Sequence, residues 1–511
     1  MNPLLIFNTI KYLKPIQIIG QIYNRFNHPR LKLIVNTSSQ LSLKAIPILK
    51  PYCLINNRFC FLNITSDFTF WNEKQYGMLW AYNLNYMDWL LQRNIEENCC
   101  IKWIDRFIHD SHQNKIGFES YPTALRCMNW VKFFSLHSEC KSNERDTFLY
   151  SQLIFLSKKI EYHLLGNHLL EDAFTLYMGS IYFQNNHLHK ISKHILSKEL
   201  NKQILEDGAH FEQSLMYHCI MLDRLLDCIN MTISSSNEQQ NDSFLEMLKT
   251  KVIRMLGHLE NMTWEDRTIP LFNDSSYNIA PSANELFEYA KRLNLTWSPI
   301  TLKDCGYRHF ISEQKELFVD IGNVCASYQP GHSHADTFTY EMRIYGKPFI
   351  IDTGISTYDK NSRRDYERST PAHNTVSIKN MNSSQTWDGF RVGNRANVTV
   401  LSEGDTFINA VHNGFGRGLE HNRNLSIKDN QFIIEDMITK GQQGISYIHF
   451  APTVVVNSFS NSFIDTNMVR ITLSGASSVI ISKGQAATEF NKLVDICIAK
   501  IEFHSHLIQT I

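Results

Sequence analysis

The hydrophobic period of this chain changes once, and that change constrains its architecture more than any other feature. From about residue 76 to about residue 295, apolar residues recur at helical spacing in "YGMLWAYNLNYMDWLLQR", "YPTALRCMNWVKFFSL", "NHLLEDAFTLYMGSIYF" and "FEQSLMYHCIMLDRLLDCI". After "NLTWSPITLKDCGYRHF" the period falls to two, in "FTYEMRIYGKPFIIDTG", "NVTVLSEGDTFINAVH", "LSIKDNQFIIEDMIT" and "MVRITLSGASSVIISKG". Amphipathic helices followed by alternating strands predict an α+β multidomain chain, with a helical domain over residues 1–300 and an antiparallel β-sandwich over residues 301–511. A length of 511 residues leaves room for both cores.

Charge and cysteine usage narrow the function classes. Basic and acidic residues number 50 each, so bulk charge draws the chain to no polyanion, and nucleic acid is not an expected partner. An acidic ligand would need a local positive groove. No uninterrupted apolar run reaches the ~18 residues of a membrane span. The opening "MNPLLIFNTIKYLKPIQIIGQIYNRF" lacks the basic, apolar, small-residue order of a secretory signal, which argues for the cytoplasm. The 11 cysteines are scattered from Cys53 to Cys497 and read as reduced thiols.

The stretch "GHSHADTFTY" sets His332 and His334 two positions apart, just ahead of an alternating strand. "FTYEMRIY" and "PFIIDTG" flank Gly346 and Lys347, a two-residue turn that would set Glu341 opposite Asp352. His373 heads the strand in "AHNTVSI". His334, Asp352 and His373 are therefore candidate zinc ligands, imidazole nitrogen and carboxylate oxygen being the donors that ion takes. Ordinary hydrogen-bonded histidines at strand ends explain the same spacing.

Five stretches in this order, "GNHLLEDA", "DGAHFEQSLMYH", "HSHAD", "IDTG" and "AHNTV", resemble the heparinase II/III family of polysaccharide lyases, and "YGMLWAYNLNYMDWL" resembles that family's amino-terminal domain. The resemblance implies an incomplete (α/α) toroid followed by an antiparallel β-sandwich. It also implies β-elimination on a uronic-acid polysaccharide, in which a base takes the C5 proton, the 4-linked oxygen leaves and a double bond remains. Such chemistry needs a neutralised carboxylate, a base at C5 and an acid at the leaving oxygen.

By this resemblance Asn167 and His168 grip the substrate carboxylate, and Tyr217 protonates the leaving oxygen. His332 is the base for the epimer whose C5 proton faces the β-domain, while His334, Asp352 and His373 hold a structural zinc. Glu171 shares a helix face with Asn167 and His168 and is expected to orient His168 or touch a sugar. Read alone, "NHLLEDA" is equally a helix start with Asn167 as its cap, and Tyr217 an ordinary helix tyrosine. Asn83, Asn85, Tyr121 and Arg126 are placed near the groove, and Arg364, Arg368 and Arg391 are candidate partners of substrate carboxylates or sulfates. Asn85 departs from the family, which carries histidine in that stretch. The implied partner is an acidic polysaccharide, and the implied compartment is the periplasm. Two other readings stay open: a noncatalytic carbohydrate-binding or capsule-assembly protein, and a zinc hydrolase using Glu341 as base. Nothing in the sequence fixes the oligomeric state.

Overall fold

The computed structural model of the chain describes residues 3–38, 41–51, 53–235 and 243–511. Two short helices open it, α1 (Pro3–Ile10) and α2 (Pro15–Phe26). A three-stranded antiparallel sheet follows, β1 (Leu54–Ile55), β2 (Arg58–Phe61) and β3 (Ile64–Asp67). Helices then run in succession: α3 (Met78–Tyr86), α4 (Glu97–Asp110), α5 (Ser120–Leu136), α6 (Asn143–Leu156), α7 (Gly166–Tyr182), α8 (Asn186–Gln203) and α9 (Leu215–Ser234). Two more, Ser243–Asn261 and Ala283–Arg292, complete the helical part. The helical and antiparallel β parts thus follow in the predicted order, while the small sheet interrupts a region read as wholly helical. Its cause is local: Asn56 and Asn57 take positive φ, a conformation asparagine tolerates, and fold β1 onto β2.

Helix α7 sits at the centre of the helical core, contacting α5, α6, α8 and α9, and is buried along almost its whole length. That is why its sequence is apolar on more than one face. A single apolar cluster runs through these helices and contains Trp80, Trp89, Trp130 and Trp264.

The β-domain begins with a four-stranded antiparallel sheet, β4 (Tyr307–Ser312), β5 (Lys315–Asp320), β6 (Tyr340–Ile344) and β7 (Lys347–Ile350). A second, larger antiparallel sheet extends from Val376 to Thr510, and its two longest strands, Arg470–Glu489 and Lys492–Thr510, pair along most of their length. Phe310, Leu317 and Met342 of the first sheet share one core with Leu425, Ile434 and Phe503 of the second, so the two pack face to face as a sandwich. The β6–β7 turn lies one residue earlier than expected. Ile344 pairs with Lys347 around Tyr345 and Gly346, both at positive φ, and a bulge between Met342 and Arg343 shifts the register. All eleven cysteines are unpaired.

Candidate active site

A cavity of about 890 Å³ lies between the helical domain and the β-domain, and Asn167, His168, Tyr217 and His332 all line it. Asn167, His168 and Tyr217 are delivered by the first turns of helices, and His332 by the loop between β5 and β6. Leu165 and Gly166 both take positive φ and turn the chain sharply into α7, so that Asn167 stands in its first turn. A Cβ on Gly166 would collide with Gln329 of the β-domain and with Glu212. Ser214 caps α9 by accepting from the Tyr217 amide, which fixes the turn that presents the tyrosine. Asn167 is no cap; its amide nitrogen donates to Glu212 Oε2 at 2.8 Å and lies 3.4 Å from His332 Nε2.

The rings of Tyr217 and His332 stack with centroids 3.8 Å apart, which joins the two domains at the point where chemistry is expected. His332 Nδ1 meets Asp274 Oδ2 at 2.9 Å. A ring that donates from Nδ1 keeps an acceptor lone pair at Nε2, the nitrogen nearest Asn167. Burial pushes the Tyr217 phenol well above its ordinary pKa, although the Tyr358 hydroxyl 3.3 Å away works in the other direction. Tyr217 is therefore protonated at neutral pH, the state of an acid.

His168 behaves differently. Burial disfavours its charge, but Glu161, bonded to Nδ1 at 2.9 Å, together with Glu212 and Glu171, outweighs burial and raises its pKa. Its ring also lies against Tyr121 at 4.7 Å. A ring whose charged form is favoured in this way, lining the same cavity as Asn167, is a suitable seat for a carboxylate. Glu171 does not perform the orienting role expected of it: it is fully buried and bound to Arg224 Nε at 3.1 Å, so Glu161 holds His168 instead.

Of the remaining predicted contacts, Asn83, Tyr121 and Arg391 line the cavity. The others are turned inward. Asn85 is buried and donates to the carbonyls of Trp71 and Ala81. Arg126, also buried, bonds Gln152 and the Asn85 carbonyl. Arg364 places both terminal nitrogens on Asp274, at 2.5 and 2.8 Å, and is fully buried. Arg368 donates to the Ser333 carbonyl at 2.9 Å, bracing the loop that carries His332. None of these three arginines, nor Asn85, lines the cavity. Sequence reasoning missed Asp274, Glu161, Glu212 and Arg224; Glu212 lies inside a quoted stretch, whereas Asp274 sits in "FNDSS", which carries no periodic signal.

Behind His332, His334 Nε2 meets Asp274 Oδ1 at 2.9 Å, and His373 Nδ1 meets Asp352 Oδ2 at 2.7 Å. His334 Nδ1, His373 Nε2 and Asp336 Oδ2 are buried without a hydrogen-bond partner, and the two rings are 5.3 Å apart. Burial pushes His334 down to about 3, which keeps it neutral, the form that ligates a metal. These donor types are ones zinc takes, but among the described residues the ligand atoms of His334, Asp352 and His373 do not converge on one point, Asp352 being taken up by His373 Nδ1 and the Gly354 amide. Glu341, the base a zinc hydrolase would need, accepts from the Leu271 amide at 2.6 Å, is buried and does not line the cavity.

Residues 62–294 match the model of the heparinase II/III N-terminus and residues 295–508 that of the heparinase II/III-like C-terminal domain. The chain belongs to the heparinase II/III family. Among its relatives is the heparin-sulfate lyase of Bacteroides stercoris, 25% identical over 325 residues, which are 57% of this chain and 46% of that protein. The heparin-sulfate lyase of Pedobacter heparinus is 24% identical over 289 residues, 50% of this chain and 41% of that one. The chain thus matches less than half the length of these relatives. In fold it is similar to a crystal structure of heparinase III, with a TM-score of 0.66, 16% identity and coverage of 100% of this chain and 93% of the other. It is also similar to the heparan sulfate lyase HepC of Pedobacter heparinus, with a TM-score of 0.54, 14% identity and coverage of 89% and 80%.

Proposed function

We propose that the protein is a polysaccharide lyase that cleaves a uronic-acid-containing acidic polysaccharide by β-elimination. The observation that carries this reading is the meeting of Asn167, Tyr217 and His332 in one cavity, with the Tyr217 ring 3.8 Å from the His332 ring and the Asn167 amide 3.4 Å from its Nε2. The heparin-sulfate lyase names of the relatives support it.

In this mechanism the uronate carboxylate binds at Asn167 and His168. Their hydrogen bond and positive charge stabilise the carbanion-like transition state as the C5–H bond breaks. His332 Nε2 takes that proton, and Asp274 on Nδ1 steadies the imidazolium that results. The C4–O bond then breaks, C4 and C5 become doubly bonded, and the Tyr217 hydroxyl gives its proton to the departing oxygen. Glu212 fixes the Asn167 amide, and Tyr358 holds the end of Tyr217. The site is built around a proton donor and a separate acceptor, which matches the phenol's raised pKa.

The same reading gives the protein a structural zinc held by His334, Asp352 and His373, side chains that would have to draw together around the ion. The ion would neutralise a group of buried carboxylates and satisfy nitrogens that otherwise lack partners. Incubation of the purified chain with heparan sulfate, other glycosaminoglycans and acidic bacterial polysaccharides, followed in the ultraviolet, tests the reaction. An unsaturated uronate absorbs; cleavage to saturated ends without that absorbance refutes elimination.

A further inference from the structure

Helices α1 and α2 are amphipathic with the wrong face inward. The positions of α2 that meet the protein are Gln17, Gly20 and Asn24: Gln17 donates to the carbonyls of Leu164 and Tyr328, Gly20 packs on the His163 backbone, and Asn24 bonds the His163 ring. In α1, Asn8 is buried and Thr9 accepts from Trp387 of the β-domain at 3.1 Å. Leu5 packs against Gly393 of the β-domain and Ile10 and Ile18 line the cavity, but six other apolar residues point out. Phe7 is 64% exposed, Ile19 65%, Ile22 58% and Phe26 79%, with Leu4 and Tyr23 beside them. A contiguous apolar face of this kind on a globular domain marks an interaction surface.

The charge around it identifies the occupant. Residues 3–35 carry five basic side chains and no aspartate or glutamate; Lys14 lies over the Tyr328 ring and Lys11 bonds Asn8, while Arg25, Arg30 and Lys32 are exposed. A second copy of the chain would set this positive face against itself, because an isologous contact pairs a patch with its own duplicate. An apolar face fringed with basic residues is complementary to an anionic bilayer, where the side chains enter the headgroup boundary and the cations meet lipid phosphate. No helix among the described residues is long and apolar enough to cross a membrane, so the contact is in-plane. Both helices lie outside the family-matched residues, which begin at 62. We infer that α1 and α2 form a peripheral membrane-binding element for an anionic lipid surface. Because Thr9, Tyr12, Leu13 and Gln17 also line the cavity, the element holds the mouth of the cleft close to that surface.

Flotation of the full chain with vesicles tests this independently of any lyase activity. Wild type should float with phosphatidylcholine vesicles containing one third phosphatidylglycerol and stay behind with phosphatidylcholine alone. The triple substitution Ile19→Ser, Ile22→Ser and Phe26→Ser should lower binding about tenfold or more, with an unchanged melting temperature. Arg25→Gln with Lys32→Gln, which touches no core residue, should weaken binding about fivefold for each charge removed. Absence of flotation, equal binding to both vesicles, or wild-type dimers that the triple substitution converts to monomers would each overturn the inference.

Discussion

Asp274→Asn removes one charge and almost no volume, and the structure indicates how much should be lost. Asp274 accepts from Arg364 twice, at 2.5 and 2.8 Å, and faces His332 and His334 at 2.9 Å each, with Arg364 and Asp274 both 0% exposed. Valued separately at about 1.5–3 kcal/mol, four charge-assisted bonds would sum to roughly 6–12 kcal/mol. That sum ignores the desolvation the native pair already bears, and the loss of one partner from a buried ion pair costs about 3–5 kcal/mol. The smaller figure is the expectation. Turnover should fall at least ~10²-fold as well, because His332 loses the acceptor that fixes its tautomer. Urea titration gives the stability change from midpoint and slope, and appearance of unsaturated product gives turnover. Pairing the change with Arg364→Met should restore at least about 1 kcal/mol relative to the sum of the single substitutions, since the buried guanidinium is then gone. A variant within about 1 kcal/mol of wild type and near-native in turnover would refute the assigned role.

Tyr217→Phe should cut turnover at least ~10²-fold while leaving the denaturation midpoint unchanged, which product absorbance and a urea curve together check. His168 acts in its charged form, so activity should decline as pH rises through its raised pKa; Glu161→Gln removes the main support of that charge and should move the alkaline limb of kcat/KM to lower pH. An unmoved limb would exclude His168 as the cation. His334→Ala and Asp352→Ala should lose bound zinc and melt earlier, whereas His332→Ala should keep the metal and lose activity, as elemental analysis and thermal melts report.

The features legible in the sequence were the local ones. Helix and strand periods are properties of consecutive residues, whereas the positive-φ entry into α7 at Leu165 and Gly166 left Asn167 looking like the cap of that helix. The small sheet was not read, because its strands are too short to register as a period. Burial of arginine was not legible. Arg364 and Arg368 look like surface cations in sequence, and only the fold brings Asp274 and the Ser333 carbonyl to them, across 90 and 35 positions of chain. The choice of Glu161 over Glu171 as the partner of His168 is of the same kind. Helical spacing favours Glu171, but Arg224 approaches from α9 and claims it.

Gly166 shows what a missing atom can do. The loop bearing Gln329 rests on the bare backbone at the start of α7, so the separation of the two halves is set by contact at a residue without a side chain. A chimera that joins this helical half to the β-half of another family member inherits that gauge. It will bring its histidine to Asn167 only if the incoming loop supplies a residue of matching reach opposite the glycine.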